Sequence, residues 1–144
     1  MENISFDSGI RQYRINDAGF LRFNPVDPNV YARFLEAVEK IQTLEDTLVK
    51  DAEGLEDSGT AIVKLMAEAD KKMKQILGWV FGPENDFEQL LEGVNLLAVA
   101  TNGERVVTNL FAALEPVLVA GAEQCARDMG QAAVEKANAR RASQ

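Results

Sequence analysis

Acid–base and nucleophilic chemistry in this chain must come from a short inventory. There is no histidine, which removes the usual near-neutral general base and the commonest metal ligand. Ser-His-Asp and Cys-His arrangements are therefore excluded within the chain. Cys125 is the single cysteine, so neither an internal disulfide nor a cysteine-built zinc site can form. It sits in an alanine-rich stretch beside Arg127 and Asp128, and one arginine is a thin activating environment for a thiol. We read it as a passive small residue. Carboxylates remain. Glu36, Glu39, Asp46 and Glu53 cluster along the sequence, but at spacings natural for the solvated face of one helix. No EF-hand loop, Gly-x-Gly-x-x-Gly or Gly-x-x-x-x-Gly-Lys phosphate loop is present. The expectation is a protein without catalytic residues, metal or cofactor.

The more informative residues are apolar. Trp79, Val80 and Phe81 precede a Gly82-Pro83 break, and Phe87, Leu90 and Leu91 follow it. One helical stripe cannot bury three consecutive large side chains, so at least one of Trp79, Val80 and Phe81 must be partly exposed. Two readings stand: burial beneath the 84–93 segment, or a contact surface for another chain formed by Trp79, Phe81, Phe87 and Leu91.

The elements that would position these residues follow from patterning. Six of the ten aromatic residues lie within the first 34 positions, and none lies after Phe111. Residues 10–24 read as a β-hairpin, with Tyr13 and Ile15 on one strand, Leu21 and Phe23 on the other, and Asn16-Asp17-Ala18-Gly19 as the turn. An isolated hairpin is marginal in water, so it should pack on a helix. Asp27 and Pro28 supply an N-cap and a first helical residue for a helix reaching Lys50, with Tyr31, Phe34, Leu35, Val38, Ile41, Leu44 and Leu48 as its stripe. Asp51–Gly59 should be a solvated loop. A second helix should run from Thr60 to Phe81, with Lys71, Lys72 and Lys74 placed to suit its dipole. A short third helix is expected over Asp86–Glu92, capped by Asp86. Leu96–Ala100 fits either strand or helix. Thr101-Asn102-Gly103-Glu104 has capping-box form and should open a last helix, kinked at Pro116. The expected fold is mainly α, a helical bundle with a small N-terminal β-hairpin. Residues 1–120 should form one helical domain, and 121–144 an alanine-rich helix that frays or needs a partner.

At 144 residues and net charge −8, the chain is one acidic domain. Acidic surfaces repel phosphate backbones, so no nucleic acid partner is expected. Uninterrupted apolar runs are far shorter than the ~20 residues of a membrane helix. Met1-Glu2-Asn3 opens no signal-peptide pattern. A soluble, cytoplasmic protein with no membrane partner is expected.

The order of pieces resembles a known family. Tyr13-Arg14-Ile15 and Phe20-Leu21-Arg22-Phe23 lead into Tyr31-Ala32-Arg33-Phe34-Leu35-Glu36-Ala37-Val38-Glu39-Lys40-Ile41. A second helix ends in Gly78-Trp79-Val80-Phe81-Gly82-Pro83, and Asn109-Leu110-Phe111-Ala112-Ala113-Leu114-Glu115-Pro116 follows. Over residues 10–120 this is similar to the tail assembly chaperones of siphophages and prophages of Gram-positive bacteria. The resemblance implies a mostly helical fold and a non-enzymatic role in the cytoplasm of the bacterial host cell. It implies binding to the tape measure protein, which is kept soluble while tail tube protein subunits polymerise around it, and it implies a homo-oligomer. Two other readings are kept: a structural head–tail connector or minor tail protein retained in the virion, and a small helical regulatory or ligand-binding protein unrelated to phage. An enzyme ranks behind both.

Overall fold

In the computed structural model, which describes residues 1–143, the chain is mainly helical with one two-stranded sheet. Strands β1 (Arg11–Ile15) and β2 (Gly19–Phe23) are antiparallel, pairing Arg11 with Phe23, Tyr13 with Leu21 and Ile15 with Gly19. Asn16 takes a positive φ of 48° in the turn, a conformation asparagine tolerates. Alternation puts Leu21 and Phe23 inward, where both are buried, and leaves Phe20 and Arg22 outside.

Helix α1 (Pro28–Ala52) begins where the sequence signals placed it. Asp27 accepts a hydrogen bond from the Asn29 N–H at 2.9 Å, and proline occupies the first turn. Helical structure continues beyond Lys50, and a short 3-10 turn (Glu53–Leu55) replaces a third of the expected loop. Ser58 then caps α2 (Gly59–Phe81), which packs back along α1. Gly82, at φ 113°, ends it. Helix α3 is one turn, Phe87–Leu90, capped by Asp86 through the N–H groups of Glu88 and Gln89. It is shorter than the expected Asp86–Glu92.

Between α3 and the last helix the chain forms neither strand nor helix. Leu96 and Leu97 are buried there by turns. Asp70 accepts from the Leu96 N–H at 2.8 Å, and Asn95 accepts from the Leu97 N–H at 2.8 Å. The Thr101 capping box does not form. Ala100 donates to the Glu104 carbonyl at 2.7 Å, and Val99 bridges Arg105, so these residues close a tight turn instead. Asn102 takes the Glu104 N–H for its own side chain, a local bond that competes with helix. Helix α4 therefore starts later, at Val106, and runs to Ala142 without a break at Pro116.

One core unites these pieces. Phe23 meets Phe81 edge-on at 4.9 Å, Phe81 lies 5.8 Å from Phe87, and Phe34 meets Phe111 edge-on at 5.5 Å. Met73, Leu77, Val80, Leu96 and Leu118 fill the space between.

Candidate partner-binding surfaces

Trp79, Phe81, Phe87 and Leu91 do not share a surface. Phe81 and Phe87 are 4% exposed and belong to the core with Phe23, so the proposed contact surface through them is corrected to burial. The reason is helical geometry. Trp79 and Phe81 are two residues apart on α2 and project to nearly opposite sides. Trp79, 44% exposed, faces a shallow groove on α1 and α2, lined also by Leu44, Ile76, Glu36, Glu39 and Lys72. The Lys40 ammonium stands 4.3 Å from the Trp79 ring centroid and 3.5 Å from the Glu36 carboxylate. The groove thus has an apolar floor and a rim of both charges.

Leu91 is half-buried in a different place. A cleft of about 510 Å³ separates the hairpin from α4. Tyr13, Ile15 and Leu21 form its hairpin wall, Leu91 one end, and Leu110 and Val117 the opposite wall. Its lining is mostly apolar, with Arg14, Asn16, Glu92 and Asn109 as polar exceptions.

The polar groups that hold these surfaces in place were not evident from the sequence. Lys74, which the sequence associates only with the dipole of the second helix, is buried. Its ammonium lies 2.7 Å from Asp70 and 2.9 Å from Glu88. Burial opposes its charge, but the hydrogen bonds and attraction of the two carboxylates win, so its pKa lies above the usual 10.5. Asp70 also accepts from Leu96, so the pair fixes both α3 and the 95–97 turn to α2. Asn85 is 4% exposed and makes three bonds. It accepts from the Arg22 N–H at 2.8 Å and donates to the carbonyls of Arg22 and Phe81, each at 2.9 Å. Arg33 donates to the Val80 carbonyl at 3.0 Å, tying α1 to the end of α2. A spacing of four between Asp70 and Lys74 was the one signal available for that pair.

Among the described residues, no three Cys, Asp or Glu side chains converge as metal ligands. Cys125 is half-buried on α4. Helix α4 is long and apolar enough to cross a membrane by length and composition alone. The absence of long uninterrupted apolar runs did not anticipate this. Part of that apolar surface is in the core: Val107, Leu114, Leu118 and Gly121 are buried against the body.

The architecture defines a mainly α protein with a small N-terminal hairpin and two open apolar recesses. Comparisons with protein-family models, curated proteins and solved structures give no match for this chain.

Proposed function

We propose that this chain is a non-enzymatic tail assembly chaperone. It holds the tape measure protein soluble in the bacterial cytoplasm while tail tube protein assembles around it. The observation that carries the reading is the order of pieces. A hairpin precedes a long helix, a second helix ends in Gly78-Trp79-Val80-Phe81-Gly82-Pro83, and an apolar helix passes through Pro116, the arrangement that the resemblance implies. The Trp79 groove supports it further. An apolar floor between charged rims suits the apolar face of an amphipathic helix, the form in which a long helical client presents itself. The net charge of −8 opposes aggregation of the complex.

Co-expression with the tape measure protein of the same phage tests the reading. The client should stay soluble and co-purify at high salt, because the contact is mainly apolar. Trp79→Ala should reduce co-purification about tenfold, as expected for losing one aromatic anchor. Equal precipitation of the client with and without the chain would reject the chaperone role, and recovery of the chain in purified particles would favour the virion component.

A further inference from the structure

The two edges of the hairpin are not equivalent. Antiparallel strands alternate between residues bonded across the pair and residues whose N–H and C=O point outward. Arg22 is of the outward kind, since both its backbone groups bond to Asn85. Its cross-strand partner Gln12 is then outward as well, and so is Arg14, two residues on. On the β2 edge Asn85 takes the outward groups of Arg22, leaving only those of Phe20. On the β1 edge, the outward groups of Gln12 and Arg14 meet no backbone partner among the described residues. Such an edge is a template for another strand.

The chain carries a segment suited to it. Residues 1–8 have no secondary structure and are all exposed. Ile4 and Phe6 are 87% and 81% exposed, and their spacing of two puts both on one side of an extended strand. This arm leaves the body at a fixed point. Asn24 donates to the Ser8 carbonyl at 3.0 Å, and Gly9 turns the chain at φ 75° with no room for a Cβ against Asn24. Among the described residues, no backbone hydrogen bond joins this arm to its own β1 edge. Charge agrees with pairing in another copy. In an acidic protein, the hairpin concentrates Arg11, Arg14 and Arg22, whereas the arm carries Glu2 and Asp7. The apolar cleft beside β1 supplies the pocket that alternate side chains of an added strand require.

We propose that residues 2–7 of one copy add as a third strand to the β1 edge of a second copy, with Ile4 and Phe6 entering the cleft between Tyr13, Ile15, Leu110 and Val117. The inference concerns self-association alone and does not depend on the client.

Sedimentation velocity on the full chain across a concentration series tests it. The wild type should dimerise. Phe6→Asp should raise the dissociation constant about tenfold to a hundredfold, the size of leaving one phenylalanine unburied. Its melting temperature at low concentration should be unchanged. Gln12→Pro removes only an outward N–H, which edge strands tolerate, and should weaken association as well. Mixing the two variants should restore a dimer, because one retains the edge and the other the arm. A monomeric wild type overturns the proposal. So does a dimer indifferent to both substitutions, or a monomer in which Phe6→Asp lowers the melting temperature, which would place the arm in its own cleft.

Discussion

At the residue scale, the least expected group is Lys74. A lysine among Lys71 and Lys72 reads as solvated, and those two are exposed. Lys74 differs because Asp70 lies one turn earlier and Glu88 arrives from α3. Its charge is useful only while both carboxylates face it. Replacing it with methionine strands the buried Asp70 carboxylate, and the expected loss is about 3–5 kcal/mol in denaturant unfolding. Glu88→Gln should cost less, about 1 kcal/mol or below, since that side chain is 59% exposed. The pH dependence has a defined sign. Because the folded pKa is raised, the Lys74 contribution is complete below 10.5 and is lost as pH rises through the higher folded value. The gap in stability between wild type and Lys74→Met should be constant from neutral to mildly alkaline pH and shrink only above 10.5. A gap that closes between pH values where lysine stays protonated would contradict this account.

At the element scale, legibility followed the range of the forces. Asp27-Pro28 and Asp86 act on backbone groups two or three residues away, and both helix starts fall where those signals stand. The hairpin register follows from alternation and turn chemistry, which are also local. The Thr101 capping box failed because its residues close a turn whose bonds come from Ala100 and Arg105. The split of Trp79 from Phe81 was legible as helical geometry, yet which one faces solvent depended on where the hairpin and α3 pack. Gly121 shows the same limit. It reads as one glycine among ten, but a Cβ there would collide with the Pro25 carbonyl oxygen. Gly121→Ala must push α4 off the β2–α1 connection and should cost about 1–3 kcal/mol. Gly130→Ala is the control. Nothing lies near that position, and it stands on the exposed end of the helix, so Gly130→Ala should raise local helicity and leave the melting temperature of the fold nearly unchanged. Thermal melts should separate the two variants, with only Gly121→Ala melting clearly lower.

At the scale of the whole molecule, α4 is one helix with two situations. Up to Cys125 it has buried or half-buried positions in every turn, whereas residues 126–142 are exposed apart from a half-buried Ala137. Those seventeen residues project over roughly 25 Å at 1.5 Å per residue. Without tertiary contacts, a helix of that length is marginal in water. The expected segment 121–144 is thus helical as far as Ala142, continuous with the helix before it, and its unsupported part begins only at Ala126. Ending the chain after Ala126 should leave the melting temperature within a few degrees of the full chain. A large fall would mean that the exposed segment is seated on something in solution.

The Asn85 clamp also has a consequence for the order in which the fold can assemble. It joins Arg22 to a residue 63 positions later, and the cleft beside the hairpin is walled by α4 beyond residue 106. Leu21 and Phe23 are synthesised before Phe81, Asn85 and Leu118, which must all exist before their surroundings are complete. At ~5–20 residues per second, synthesis of the intervening chain takes roughly 5–20 s, far longer than a hairpin needs to form. The nascent hairpin therefore opens and closes many times before it is locked. The core residues of the hairpin are made before most of the core and are sheltered only once α4 has followed, so the later helix governs when the earlier hairpin becomes stable.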